Sequence, residues 1–432
     1  MIVHPLRTLA LATLLLSFAA ATAQEFDWER YEGTDIRFMM NRHPFTDWLE
    51  PLVPEFEALT GINVTLEVFP EDQFRQRRIL EVSSGASTLD GYMVMPGQVG
   101  AQYLGANWIR FIDDLIADPS LTMPELDVDD FFGGALSTFE EDGRLYGLPL
   151  QIESSLLFYR EDLFEQAGLE GPPETLEELR EYAAALDEPE RAGFAMRGRG
   201  AAATSQIVNL LYSFGGEWLD ADGRSALASQ ESQEALRYYA DLLRDYGPPG
   251  PATLHWAEVT SLYAQDQVAM IFDANVFRSI MEDPAQALDV VRENTRYAPL
   301  PAGPAGSVPG VLVWGLAINH ASQNPEAAWY FIQWALSKEN QIDTLMAGVP
   351  AARASAWDDE QFQATAPADW IDASQRSFDM GQPFWNPPVV PVAEVRDAYG
   401  LAIVAALEGQ DVAQVLQQAA EEMDRIVERA GR

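Results

Sequence analysis

The sequence predicts an α/β protein organised on a mainly parallel sheet. Three observations near its start carry that expectation. Asp35 to Met40 has the composition of a first strand, and the apolar residues Trp48, Leu49, Leu52, Val53, Phe56 and Leu59 then recur at three- and four-residue spacing, predicting a helix from about Asp47 to Leu59. Gly61 stands where a helix C-cap belongs. Ile62, Val64, Leu66 and Val68 alternate, so the next strand has one buried face, and a helix over 72–84 leads to a strand near Leu89 to Met95. Strand-helix-strand order gives parallel neighbours and places ligand contacts at the carboxyl ends of the strands. With 432 residues and 47% hydrophobic content, the chain can build one large core or two.

Further along, residues 145–180 read LYGLPLQIESSLLFYREDLFEQAGLEGPPETLEELR. An apolar strand carries a Gly-Leu-Pro turn, a polar segment runs from Gln151 to Ser155, and a second apolar strand ends on Tyr159. A short helix stopped by Gly168 follows, and Thr175 with Glu178 opens the next helix as a capping box. Ala298 to Gly310 is too rich in Pro and Gly for regular structure and marks a connection. Val311 to Ile318 is the strand beyond it. Asn324 and Pro325 occupy N-cap and N1 positions of a helix striped by Ala327, Ala328, Phe331, Ile332, Ala335 and Leu336. Asp411 and Gln414 open the last helix, whose stripe runs from Val412 to Val427, so it is expected to pack. Asp220-Ala-Asp222-Gly223 lacks the oxygen ligands of a calcium loop and reads as a turn.

Composition excludes several classes. Cys is absent, which removes disulfides, thiolate metal sites and thiol catalysis. A formal net charge of −40 repels nucleic acid and anionic membrane. Lys338 is the only lysine and stands between Ser337 and Glu339, so no phosphate-binding Gly-Lys-Ser/Thr loop exists. His43, His255 and His320 are far apart and without zinc-site spacing, and no G-x-S-x-G elbow occurs. No metal or cofactor is expected. Met1 to Arg7 is polar and cationic, Leu9 to Ala21 is apolar but too short to span a bilayer, and Ala21-Thr22-Ala23 fits a cleavage pattern. Residues 1–23 are therefore expected to be a secretory signal removed before Gln24. The apolar run is not followed by Cys, so a periplasmic protein without a lipid anchor is expected.

The crossing pattern of 145–180, together with VPGVLVWGLAINHASQNPEAAWYFIQWALSKENQ from Val308 onward, resembles family 1 of the extracellular solute-binding proteins, which feed ATP-driven sugar importers. The resemblance covers nearly all of the chain after the leader and is weaker between 180 and 300. It implies a type II periplasmic-binding-protein-like fold, two α/β lobes joined by a hinge of crossing strands. The expected N-terminal lobe is 24–149 with 313–349, and the C-terminal lobe is 150–312 with 350–432. A third crossing is expected near residues 347–357. The resemblance also implies a monomer that captures a sugar or sugar alcohol and delivers it to a membrane permease of an ABC transporter.

Hydroxyl-rich ligands call for fixed carboxylates, amides and guanidinium groups beside aromatic rings, and the chain is 11% aromatic with 11 Trp. Carried over position by position, the resemblance implies the following contacts. Asn41, Arg42 and His43 follow the first strand at the first ligand loop, or form only a helix-leading turn. Asp90 is assigned to a strand end near the cleft, with capping or a hinge role as the alternative. Glu153 matches a frequent contact position beside Gln151, against a solvated loop acid. Tyr159 occupies a recurrent aromatic position where packing competes. Arg197 precedes glycines that permit close approach, and Asp273 follows the strand Val268 to Phe272, where it either binds or caps. Trp314 at the second crossing is the stacking candidate. Arg353 and Trp357 match the third crossing, and Phe384, Trp385 and Asn386 sit in a loop expected to reach the cleft.

Two other readings compete. Some pair among the 67 acidic residues could meet glycosidase spacing in an exported carbohydrate-active enzyme, although no local pattern singles out an acid and a base. A sensor or adhesion module without transport is the other.

Overall fold

Ten strands order the chain, which the computed structural model describes over residues 25–381 and 385–431. The expected secretory segment 1–23 and Phe384 lie outside the described residues. The strands are β1 (Asp35–Asn41), β2 (Asn63–Phe69), β3 (Gly91–Val94), β4 (Glu140–Glu141), β5 (Arg144–Leu145), β6 (Leu148–Arg160), β7 (Ala192–Ala195), β8 (Val268–Ala274), β9 (Thr295–Ala298) and β10 (Val311–Ile318). All but the β4–β5 pair join one sheet in the order β2-β1-β3-β10-β6-β8-β7, with β9 also on β6.

The sheet is mixed, which corrects the expectation of a mainly parallel one. β1 is parallel to β2 and β3, and β7 is parallel to β8. β10 runs antiparallel to β3 and β6, and β6 runs antiparallel to β8 and β9. The parallel pairs come from the strand-helix units, as the helix-length connections require. The reversals come from the two strands at the centre, β6 and β10, whose direction no local pattern encodes.

β6 is one strand of 13 residues, not two strands around a polar segment. Its first half, Leu148 to Ser154, pairs with β10, and its second half, Ser155 to Arg160, pairs with β8 and β9. Gln151 to Ser155 stay in the strand, where several of their polar groups find buried partners, although Ser154 Oγ and Gln151 Oε1 have none among the described residues. The Ser155 hydroxyl donates to Gln206 Oε1 at 3.0 Å, and the Ser154 backbone N–H donates to Asn275 Oδ1 at 3.2 Å. The expected third crossing touches the same strand: Ala351 bridges Gln151, and the Ile152 N–H donates to the Pro350 carbonyl at 3.0 Å. The register of β10 on β6 shifts between Trp314 and Gly315. A Cβ at Gly315 would collide with the Leu148 carbonyl and the Phe139 ring, so only glycine lets these two strands meet there.

The helix expected over Asp47 to Leu59 is broken into Pro44–Leu49, a 3-10 turn Glu50–Leu52, and Val53–Thr60. Pro51 and Pro54 each lack an N–H and interrupt the ladder. Gly61 ends it in the left-handed region at φ 68° as expected. The Thr175–Glu178 capping box forms, and Asp411 Oδ1 accepts from the Gln414 N–H at 2.8 Å. The helix Pro325–Ala335 is buried from Ala327 to Ala335, so its stripe has widened into a core element. Asp220 Oδ1 accepts from the N–H groups of Asp222 and Arg224, the turn expected there.

Candidate functional site

A cavity of about 450 Å³ lies beyond the carboxyl ends of five strands. His43 follows β1, Glu71 follows β2, Met95 follows β3, Arg197 follows β7 and Phe277 follows β8, and all five residues line it. The two central strands supply Glu153 from β6, and Leu312 and Trp314 from β10. The helix Glu71–Ser84 adds Arg75, the helix Trp256–Ala264 adds Trp256 preceded by His255, and the helix Val392–Leu407 adds Arg396. Trp385 closes one side.

Most of the charged groups are paired. Arg197 is 8% exposed, and its Nε donates to Asp273 Oδ2 at 2.9 Å while its Nη2 donates to Oδ1. Gln206 Nε2 donates to the same carboxylate at 3.0 Å, and Arg197 Nη1 reaches Ser205 Oγ at 3.4 Å. Arg75 donates to Glu71 and to Gln98 Oε1. Arg396 is held by neutral acceptors, Thr204 Oγ1 at 2.8 Å and the Ala201 carbonyl at 2.9 Å, and lies 5.8 Å from the Trp385 ring centre. Glu153 is 3% exposed, accepts from Gln151 Nε2, and stands 3.3 Å from His43 Nε2.

Burial governs protonation here. It pushes the Glu153 carboxyl up to about 8, against the opposing pull of Arg197 and of the Gln151 hydrogen bond. It pushes His43 down to about 4, with Glu71 opposing and Arg197 assisting. His255 falls to about 3, through burial and then Arg197. Arg396 falls to about 9 through burial, with Arg75 contributing. Burial works to raise Glu71, but Arg75, His255 and Arg197 override it and hold that carboxyl well below the usual range. At neutral pH Glu153 and His43 are therefore both uncharged. His43 Nδ1 has no hydrogen-bond partner among the described residues.

The rings form two walls. Trp256 stacks on Phe277 with centres 5.1 Å apart and planes at 14°, and Trp256 Nε1 donates to Glu71 Oε2 at 3.3 Å. Trp314 lies 6.0 Å from the His43 ring, which itself stands 6.4 Å from Trp256 and 6.5 Å from Phe277.

Of the residues expected from sequence, the structure brings His43, Glu153, Arg197, Trp314 and Trp385 to this cavity. Gln151 and Asp273 sit directly behind it, holding Glu153 and Arg197. The others are elsewhere. Asn41 is a buried end of β1 and does not line the cavity. Arg42 turns away to Asp47 at 2.7 Å and Glu50 at 2.9 Å. Asp90 precedes β3 rather than ending it, so it lies at the opposite edge of the sheet, where it accepts from the Arg37 N–H at 2.9 Å and from Ser322 Oγ at 2.6 Å. Tyr159 is near the far end of β6 and packs on Phe164 at 4.7 Å. Asn386 is buried beside Trp385, near Gly97, and lines a neighbouring hollow that shares Met95, Leu312 and Trp385 with the cavity.

The two third-crossing residues are structural. Arg353 is fully buried, donates to the Leu336 carbonyl at 2.7 Å and the Asp127 carbonyl at 2.9 Å, and pairs with Asp130 at 3.2 Å. Trp357 stacks on Trp370 with centres 5.3 Å apart and donates to the Ala351 carbonyl at 2.9 Å. Trp357→Ala is therefore expected to lower stability by about 3–5 kcal/mol and to leave the ligand affinity of the folded protein unchanged. Denaturant unfolding and calorimetric titration check the two halves of that expectation.

Sequence reasoning missed Glu71, Arg75, His255, Trp256, Phe277 and Arg396. The strand-end rule points to Glu71 and Phe277, because each follows an alternating or apolar strand within three residues. Nothing local marks Arg396, which is the buried side of an ordinary helix.

Fold and cavity together define a ligand-capturing protein whose site is assembled from strand ends across a doubly supported sheet. A model of bacterial extracellular solute-binding proteins matches residues 43–342, and the chain belongs to that family. It is 29% identical over 397 residues to a mannitol-binding protein of Pseudomonas aeruginosa, covering 87% of this chain and 88% of that one. It is 27% identical over 350 residues to an erythritol/L-threitol-binding protein of Mycolicibacterium smegmatis, covering 76% and 71%. A solute-binding protein of an ABC transporter from Agrobacterium radiobacter, solved with ribitol, superposes with a TM-score of 0.84 at 27% identity, covering 92% of this chain and 99% of that one. The fold is that of the type II periplasmic binding proteins.

Proposed function

We propose that this protein captures an uncharged sugar alcohol and delivers it to the permease of an ABC importer. The observation that carries this reading is the pairing inside the cavity. Arg75 and Arg197 each already hold a carboxylate, Glu153 and His43 are neutral at pH 7, and Arg396, the lining arginine without an ion-pair partner among the described residues, gives two of its donors to Thr204 and Ala201, so the site offers chiefly hydrogen bonds. A flexible polyol has hydroxyls that both donate and accept. Binding proteins for mannitol and for erythritol and L-threitol stand among the relatives, which supports the same class.

The proposed lobes are 24–149 with 313–349 and 150–312 with 350–432, moving about the crossing strands. Trp256 to Glu71, and Arg199 to Asp72 at 3.5 Å, are contacts that closure between such lobes would make. Ligand touching both lobes shifts the population toward closure. The protein works as an exported periplasmic monomer and performs no chemistry. Glu71 is engaged by Arg75 and Trp256, and Glu153 by Gln151, which supports binding over a glycosidase carboxylate pair. No helix among the described residues is long and apolar enough to cross a membrane.

A thermal-shift and calorimetry screen over tetritols, pentitols, hexitols and their parent sugars tests the reading. A saturating sugar alcohol, at roughly 100 times Kd, is expected to stabilise the native state by about 2.7 kcal/mol. Glu153→Ala is expected to remove that gain. Absence of stabilisation by every polyol and sugar in the panel would overturn the reading, as would turnover of an aryl glycoside.

A further inference from the structure

The capture cavity has a neighbour. A second hollow of about 620 Å³ is lined by Arg42, Trp48, Thr260, Ser261, Ser279 and Asp283, among others. Among the described residues, Trp256 alone borders both spaces. Its indole is fixed from two directions. Phe277 stacks on its face at 5.1 Å, and its Nε1 donates to Glu71 Oε2 at 3.3 Å. Trp256 is also the first residue of its helix, whose start is braced by Glu258 accepting from the His255 N–H at 2.9 Å. In the closed arrangement the partition is therefore a ring held from both sides rather than a loop.

The outer hollow can meet a sugar ring. Ser261 is exposed there, the Ser279 hydroxyl donates to the Val276 carbonyl at 2.8 Å, and the Asp283 carboxylate accepts from the Ala285 N–H at 2.8 Å and from Gln286 Nε2 at 2.7 Å, so both keep lone pairs for a sugar hydroxyl, and the Trp48 ring gives an aromatic face. Thr260 is 2% exposed and gives its hydroxyl to the Trp256 and Ala257 carbonyls, so it belongs to the wall.

We propose that Trp256 sets the length of the ligand: it confines capture to one short polyol chain and bars a glycosylated polyol, whose second ring would occupy the outer hollow. This rests on the polyol reading above and adds to it a residue that determines specificity through size. Removing the indole would join the two spaces into one cleft, with Phe277 and Glu71 still in place on the inner side.

Calorimetric titration of the full protein with ribitol, mannitol and maltitol tests the proposal. Maltitol is a hexitol carrying one glucosyl ring. The wild type is expected to bind a short alcohol and to show no heat with maltitol. Trp256→Ala is expected to bind maltitol at least about tenfold more tightly than the wild type does, a change equivalent to one side-chain contact or more, and to weaken for the short alcohol. Trp256→Phe, which keeps a ring in the partition, is expected to go on excluding maltitol. Trp256→Leu serves if the alanine variant fails to fold, as judged by circular dichroism. Two outcomes overturn the length-setting role while leaving the polyol reading intact: a wild type that binds maltitol as well as mannitol, or variants that bind the short alcohol but gain nothing for maltitol. A wild type that binds none of the three and no other polyol overturns both.

Discussion

Replacing Arg197 by alanine is expected to weaken ligand capture roughly 10- to 100-fold, the loss of one charge-assisted hydrogen bond or slightly more. The same change is expected to lower the folding free energy by about 3–5 kcal/mol. The reason lies behind the guanidinium. Asp273 is fully buried, and Arg197 Nε donates to it at 2.9 Å. Without Arg197 that carboxylate keeps only Gln206 at 3.0 Å and the Ala274 N–H at 2.7 Å. A buried charge without its counter-ion is costly, far more so than a buried pair is favourable. The double variant Arg197→Ala with Asp273→Asn removes the stranded charge, so it is expected to recover much of the stability and none of the affinity. Denaturant unfolding and calorimetric titration separate the two effects. Full affinity in the single variant would show that the arginine is scaffolding alone.

Arg197 also illustrates what was legible beforehand. It follows an apolar strand, as His43 follows β1, and the rule that ligands meet the carboxyl ends of parallel strands is visible in a sequence once the strands are. Asp90, which the resemblance takes to a strand end near the cleft, instead precedes β3. Glu153 and Trp314 are legible only through the family resemblance at the crossing strands, not through a local pattern of their own. Arg353 and Trp357 were not separable from them by type. A guanidinium that hydrogen-bonds sugars also hydrogen-bonds carbonyls, and only the three-dimensional placement of the Leu336 and Asp127 carbonyls decides between the two. The mixed sheet was hidden for a related reason. Strand composition reports burial, and the direction of β6 and β10 is fixed by contacts between residues far apart in the chain, such as Val311 and Ser154. Proline positions, by contrast, were in plain view and explain the broken helix before β2.

The pH dependence of stability is expected to peak near pH 6.5, and three cavity residues set the shape. Unfolded Glu153 titrates near 4.5 and unfolded histidine near 6.5, whereas the native values are about 8 for Glu153, about 4 for His43 and about 3 for His255. Between pH 4.5 and 6.5 the unfolded chain holds protons on both histidines that the native state lacks, and the native state holds one on Glu153 that the unfolded chain lacks. The unfolded state is ahead by one proton, so stability rises with pH at about 1.4 kcal/mol per unit. Between 6.5 and 8 only Glu153 differs. The native state is then ahead by one proton, and stability falls at about the same slope. The depressed Glu71 and Arg396 titrate outside this window, and the raised Asp397 works against the rise at its acid edge, because the native state keeps that proton after the unfolded chain has lost it. Glu153→Gln removes the native proton excess, so its profile is expected to be flat from 6.5 to 8 and about twice as steep below 6.5. Urea unfolding at fixed ionic strength from pH 5 to 8 measures both limbs. A wild-type profile that keeps rising to pH 8, or a glutamine variant with an unchanged alkaline limb, would mean that Glu153 is ionised in the native cavity and that the ligand meets a carboxylate there.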